Sequence, residues 1–177
     1  MKKILILAAM LIGFNVTSIA QDQKSIPKNF AGVFAGIEWN TASGLIGLSY
    51  ERSVLIKDKL TVGLKGLHVF NYNYGNIAIF MYSYEGRSSI TAILPTIHYS
   101  TSKTKTGNDG FFIQFGLGTG VRRNEYREIK YTDAFLCMEN AFGWQSRISN
   151  KITLTWTNSI LFAGHGAITS TGFSLGF

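Results

Sequence analysis

Apolar side chains alternate with small or polar ones along almost the whole chain from residue 30 onward. Within 110–122, for example, Phe111, Ile113 and Phe115 occupy every second position, and Gln114 and Gly116 lie between them. Successive side chains of a β-strand point to opposite faces, so a period of two predicts two-faced strands. Eight such segments occur, at about 30–40, 43–52, 58–70, 88–100, 110–122, 132–147, 151–162 and 167–177.

The apolar face of these strands is predicted to point outward. Large apolar side chains occupy this face, and the opposite face is small and polar. This is the reverse of a soluble barrel, which has an apolar interior and a charged exterior. Only 15% of the residues are charged, against about 25% in ordinary soluble proteins. Each segment is near or above the 9–11 residues that a tilted strand needs to cross a bilayer. The predicted fold class is therefore all-β, an eight-stranded antiparallel transmembrane β-barrel.

The first twenty residues have the pattern of an export signal. Lys2 and Lys3 precede an apolar run over 4–14, and Ser18-Ile19-Ala20 is a small-x-small cleavage site. The apolar run is shorter than the ~20 residues of a membrane-spanning helix. We therefore predict a signal peptide at 1–20, a polar leader at 21–29 and one barrel domain at 30–177.

The end of the chain resembles the C-terminal strand of bacterial outer-membrane β-barrels. Phe173, Leu175 and Phe177 share one face, and the chain stops on the aromatic residue. Over 30–177 the pattern also resembles the small outer-membrane barrel family, with Tyr50-Glu51-Arg52 the most specific local piece. The resemblance implies an integral protein of the outer membrane, contact with outer-membrane lipid, and recognition of the last strand by the barrel-assembly machinery. It implies no shared activity.

Composition argues against several other classes. The formal net charge is +7, but the basic residues form no helical patch interleaved with aromatics, so we expect them to face anionic headgroups rather than nucleic acid. A lone cysteine, Cys137, rules out an internal disulfide. His68 and His165 lack companions at metal-ligand spacing, so we predict no metal and no cofactor.

Several charged and amide side chains have the parity of the inner face. An eight-stranded barrel is just wide enough for its side chains to fill it, and buried ions must be paired. We therefore predict a salt-bridged plug, with Glu139 beside Lys65; a narrow ion or solute pore is the alternative. The predicted plug residues are Glu38, Glu51, Lys65, Gln114, Glu139, Gln145 and Arg147.

His98 and Ser100 lie two residues apart and share the inner face, and Gly107-Asn108-Asp109-Gly110 follows them. This segment resembles the active site of outer-membrane lipid A deacylases, which use a Ser nucleophile, a His base and a Glu that orients the His. The resemblance puts Asn108 at the spacing of the family's oxyanion donor. Phe112 stands where the family has its Glu. Strand counting also places His98 at the periplasmic end, away from outer-leaflet lipid A. We therefore assign no catalytic residues and expect a non-enzymatic barrel, with the esterase as the alternative.

Strand counting sets both termini on the periplasmic side and predicts external connections at 71–87 and 123–131. The polar connection at 101–109 is unusually long for the periplasmic side, and a miscounted strand is the alternative. Exposed aromatic loops suit recognition of a surface protein or glycan, although this segment can also form a hairpin that packs on itself. The candidate binding residues are Tyr72, Tyr74, Phe80, Tyr82 and Tyr84.

Overall fold

The chain forms a closed barrel of eight antiparallel strands, each paired with its neighbours in sequence. The computed structural model describes residues 27–39, 43–57, 59–72, 86–101, 110–126, 129–149, 151–164 and 166–177. The strands are β1 (Asn29–Glu38), β2 (Ser43–Lys57), β3 (Leu60–Tyr72), β4 (Gly86–Ser100), β5 (Gly110–Tyr126), β6 (Ile129–Arg147), β7 (Thr153–Ala163) and β8 (Gly166–Gly176). The predicted fold class and strand count are confirmed.

The barrel closes where β8 returns to β1, from Phe30 opposite Gly176 to Glu38 opposite Ile168. Beside this seam the backbone N–H of Phe177 donates to the carbonyl of Asn29 at 2.8 Å. The start of β1 and the end of β8 therefore lie at one end of the barrel, which we call the terminal end. The other end is the opposite end. The predicted signal peptide lies outside the described residues, as does the leader up to residue 26.

Three strand boundaries differ from the prediction by three or more residues: the end of β2, the end of β5 and the start of β6. β2 continues to Lys57, so Tyr50 lies within the strand and not near its end. The predicted external loop at 123–131 is largely strand, because β5 and β6 stay paired from Arg122↔Asp133 to Tyr126↔Ile129. Backbone groups that pair with one another remain satisfied in water as in lipid, so a hairpin can continue after its apolar alternation ends.

The outer face carries the apolar side chains, as the alternation predicts. Leu136 is 75% exposed, and Trp39, Tyr99 and Trp144 also point outward near strand ends. Between these residues the outer wall is a broad band of leucine, isoleucine, valine and phenylalanine. Within the described ranges, no helix combines the length and apolar composition needed to cross a membrane.

The inner face is not small and polar throughout, and here the prediction was wrong. Toward the opposite end the lumen is filled by an apolar cluster, with Phe34 and Phe135 packed against it. Lys65 and His98 gave the inward parity of β3 and β4, but both strands carry apolar residues on both faces toward this end, so alternation of polarity did not reveal an apolar lumen. The members of this apolar cluster are Leu45, Leu67, Val69, Ile90, Ala92, Leu94, Cys137, Leu161, Ala163 and Ile168.

Candidate functional site

The inner face of β4 passes through three levels of the lumen. Ile90, Ala92 and Leu94 lie in the apolar cluster. Thr96 follows, bonded to a carboxylate, and His98 and Ser100 come last, beside a cavity toward the terminal end. The lumen therefore changes from apolar to polar along its length, and the chemically capable side chains lie in the polar part.

An ion pair crosses the lumen at the boundary of the apolar cluster. The Nζ of Lys65 on β3 lies 2.8 Å from both Oε1 and Oε2 of Glu139 on β6. The two strands are not neighbours, so the side chains meet across the interior. Both residues are buried, with Glu139 only 3% exposed. The sequence prediction placed these two residues side by side, and the structure brings them into direct contact.

Glu51 adds a second carboxylate at the same level. Its Oε1 accepts a hydrogen bond from Thr96 at 2.7 Å, and its Oε2 accepts one from the side-chain amide of Gln114 at 2.8 Å. These donors come from β4 and β5, so Glu51 ties β2 to the far wall. Charge-assisted bonds of this kind are about twice as strong as neutral ones. Lys65, Glu139, Glu51, Thr96 and Gln114 thus form one crossing network, which we call the polar tier.

A second ion pair lies near the opposite end. The Nη2 of Arg122 on β5 is 2.5 Å from Oε1 of Glu38 on β1, and Glu38 is 1% exposed. Inward parity predicted Glu38 as a plug residue but did not identify Arg122 as its partner. Parity gives the face of a residue but not its height along the barrel, so alternation could not identify a partner four strands away. The sequence did place a cation, Arg122, at an inward position of β5.

The remaining predicted plug residues lie toward the terminal end. Gln145 is buried and lines a cavity of about 80 Å³ together with Ser53, Lys59 and Thr155. This volume has room for several water molecules. Arg147 is near the rim, where its Nε donates to the carbonyl of Ser149 at 3.1 Å. We call this space the terminal chamber.

His98 and Ser100 both face the terminal chamber. The imidazole stacks on the ring of Phe112, with centroids 4.5 Å apart and an interplanar angle of 16°. The residue that departs from the deacylase pattern therefore covers the imidazole face. Among the described residues, no carboxylate is hydrogen bonded to His98, and Asn108 lies outside them. The geometry supplies a histidine and a serine on one strand without the orienting acid that a triad requires.

The other candidate residues are placed as follows. Tyr72 ends β3, while Tyr74, Phe80, Tyr82 and Tyr84 lie outside the described residues. His68 is hydrogen bonded to Thr91 at 2.8 Å, and His165 is not described. In the part of the chain that the structure describes, no group of His, Cys, Asp or Glu residues is arranged to hold a metal.

The C-terminal aromatic residues point away from the lumen. Phe173, Leu175 and Phe177 are all about half exposed on the outer wall, and β8 lies between β7 and β1. The last strand is thus both the closing strand of the barrel and a lipid-facing apolar ridge.

Comparison with solved structures agrees with this architecture. Neisserial surface protein A aligns with a TM-score of 0.54 and 9% identity, over 84% of this chain and 94% of its own. The fold is that of an outer-membrane β-barrel. The N-terminal barrel domain of Pseudomonas aeruginosa OprF aligns with a TM-score of 0.50 and 10% identity, over 85% and 98%. The outer-membrane enzyme PagL aligns with a TM-score of 0.46 and 10% identity, over 82% and 97%.

No protein-family model matches the sequence, and no curated protein matches it. Identities near 10% establish a shared fold and not a shared activity.

Proposed function

We propose that this protein is an integral barrel of the bacterial outer membrane with a closed lumen, which acts as a structural or surface-binding element and not as a pore or an enzyme. The observation that carries the proposal is the lumen itself. Two ion pairs cross it, Lys65–Glu139 and Glu38–Arg122, and the apolar cluster lies in the same interior.

The outer wall supports a location in lipid. Large apolar side chains are exposed on all eight strands, for example Val33, Leu48, Ile93 and Phe142. A contiguous apolar surface beyond a few hundred Å² marks contact with a membrane or a partner. A closed barrel also has no unpaired strand edge, which is the condition for β-structure to span a bilayer.

Fractionation with a heat-modifiability gel tests this location. We expect the protein in the outer-membrane fraction, with a different mobility after boiling, because a closed barrel unfolds only on heating in detergent. A signal-peptide deletion that stays in the cytoplasm is the control for an unfolded chain. Recovery in the soluble periplasmic fraction with unchanged mobility would refute the membrane proposal.

The polar tier and the apolar cluster support a closed lumen. The terminal chamber reaches the polar tier and touches the apolar cluster, since Lys65, Glu139, Leu67 and Leu161 also line it. Water can occupy it, but an ion crossing the lumen would have to pass the Lys65 ammonium, which contacts two carboxylate oxygens. Beyond that point it would enter the apolar cluster, where an unpaired charge has a large desolvation cost.

We therefore expect planar-bilayer recordings of the purified barrel to contain no stable channel. The plug is built from side chains of the wall itself, so opening it would require the strands that carry Lys65 and Glu139 to rearrange. A large porin in the same bilayers provides the positive control. A steady, ohmic conductance from the wild-type barrel would contradict the closed lumen and favour the pore.

The His98–Ser100 pair gives the esterase alternative little support. Hydrolysis of this kind needs a base that is oriented by a third group, and in this chain the imidazole is stacked on Phe112. The pair also faces a chamber at the terminal end, which is the periplasmic end of an even-stranded barrel. Release of fatty acid from lipid A by the purified protein would overturn a non-enzymatic role.

Surface binding is assigned to the aromatic-rich connection between β3 and β4. Tyr74, Phe80, Tyr82 and Tyr84 lie within it, and aromatic side chains provide large contact areas at low entropic cost. The opposite end of the barrel, from which this connection starts, is the external end in the topology proposed. A surface protein or a glycan is the class of ligand that such a segment suits.

A further inference from the structure

A row of polar side chains interrupts the apolar outer wall on β6, β7 and β8. Asn140 and Thr171 are exposed, and Asn158 and Thr169 are half-buried. Register places them together, because Asn158 pairs with Thr171, and Ile160 pairs with both Asn140 and Thr169. Asn140 and Asn158 are therefore diagonal neighbours on adjacent strands.

On β6 and β7 the row is enclosed by apolar residues on both sides. On β6, Leu136 lies toward one end and Trp144 toward the other; on β7, Phe162 and Leu154 flank Asn158 in the same way. Asn140 and Asn158 therefore lie inside the apolar band and not at its edge, whereas Thr169 on β8 is bonded to Trp39 just past the end of β1. In a bilayer the level of the two asparagines is hydrocarbon, where polar groups have no water to bond.

The threonines and the asparagines of the row differ in their partners. The indole N–H of Trp39 donates to Thr169 Oγ1 at 3.1 Å, and that of Trp156 donates to Thr171 Oγ1 at 3.1 Å. No hydrogen bond within the described residues involves the side-chain amide of Asn140 or Asn158. Two carboxamides with donors and acceptors unmet thus face the membrane interior.

We propose that this row, Asn140, Asn158, Thr169 and Thr171, is the contact surface of a homodimer within the membrane. A carboxamide carries both a donor and an acceptor, so it is complementary to another copy of itself. In a two-fold dimer the same patch of each subunit meets its counterpart. Asn140 and Asn158 of one copy then bond those of the second copy and leave no amide in hydrocarbon.

The chemistry of the row favours a second copy over other occupants. The four side chains are uncharged, so the row offers no ion pair to a charged partner or lipid headgroup. Lipid tails cannot supply a hydrogen bond. A second copy brings an equal number of donors and acceptors at the same depth, because both barrels are inserted in the same direction.

Disulfide trapping in lipid vesicles tests the dimer. Ile160 pairs with Asn140 and lies two residues from Asn158 on the outer wall, and Ile160→Cys is made in a Cys137→Ala background, which removes the single native cysteine. Thr119→Cys, exposed on the outer face of β5, is the matched control. Oxidation should link Ile160→Cys into dimers and leave Thr119→Cys at background.

A double substitution, Asn140→Leu with Asn158→Leu, tests the role of the amides. The trapped fraction should fall about tenfold, equivalent to about 1.4 kcal/mol of association free energy. Heat modifiability of each variant confirms that it is folded. Equal trapping at both cysteine positions, or trapping unchanged by the leucines, would overturn the dimer. So would a product in native membranes that links the barrel only to a different protein.

The dimer rests on the proposed membrane location, and the two can fail separately. Recovery of the protein in the aqueous fraction would refute both the membrane location and the dimer. Insertion into the membrane without cross-linking of Ile160→Cys would refute the dimer alone.

Discussion

Replacing Lys65 with methionine is expected to lower the free energy of unfolding by roughly 3–5 kcal/mol, the usual effect of leaving a buried charge without its partner. The ammonium contacts both oxygens of Glu139, and methionine fills a similar volume without replacing either contact. Urea unfolding in detergent or lipid, followed by fluorescence of the three tryptophans, measures the loss.

The matched control is Lys130→Met. Lys130 also pairs with a glutamate, Glu125, at 3.1 Å, but its side chain is 72% exposed. Exposed pairs contribute about 0–1 kcal/mol, so this variant should unfold almost as the wild type does. Combining Lys65→Met with Glu139→Leu should recover much of the loss, because the buried Glu139 carboxylate is removed together with its cation, while Glu51 keeps its bonds to Thr96 and Gln114. An unfolding midpoint unchanged by Lys65→Met would mean that Lys65 faces water.

Adding a single methyl group at Gly118 is expected to destabilise the barrel by about 1–3 kcal/mol, the typical effect of overpacking. A Cβ at this position would lie 2.8 Å from the Cα of Leu94 and 2.9 Å from the carbonyl carbon of Ile93. These are backbone atoms of β4, so the strand itself would have to move. The same unfolding assay applied to Gly118→Ala measures the effect.

Gly44→Ala is the comparison for Gly118→Ala. A Cβ at Gly44 would have no atom within 4 Å, and replacing glycine where the backbone allows it restricts the unfolded chain. It should therefore be neutral or stabilise by up to about 1 kcal/mol. A lower free energy of unfolding for Gly118→Ala, together with an unchanged or higher one for Gly44→Ala, would show that β4 packs closely on β5 at Gly118. Equal changes in the two variants would show that β4 can move away from β5 without cost.

The strand count and the facing of each strand followed from the sequence because lipid imposes a strict rule on one side of the wall. Val33 and Phe115 lie outward, as their parity requires. The predicted strand ends were less accurate beyond the lipid-facing part of the wall. Between Arg123 and Tyr131 apolar and polar residues no longer alternate, yet the backbone pairing of β5 with β6 continues.

The residues that fill the lumen could be predicted only in part from the sequence. Inward parity was enough to select Glu51, Lys65 and Glu139. It could not supply the pairing of Glu38 with Arg122, which depends on the stagger between β1 and β5. Nor did it reveal that the lumen is apolar toward the opposite end, because on β4 both Leu94, which faces inward, and Ile93, which faces outward, are apolar.

The long β5–β6 ribbon determines how any ligand would meet this side of the barrel. Its backbone is hydrogen bonded as far as Tyr126 and Ile129, so its shape exists before contact. A flexible loop loses conformational entropy when it is immobilised by a partner, and that loss weakens binding. The ribbon avoids this loss. An antibody that recognises it should bind the folded barrel and lose the epitope on boiling, whereas one raised against a linear peptide of the same residues should behave in the opposite way.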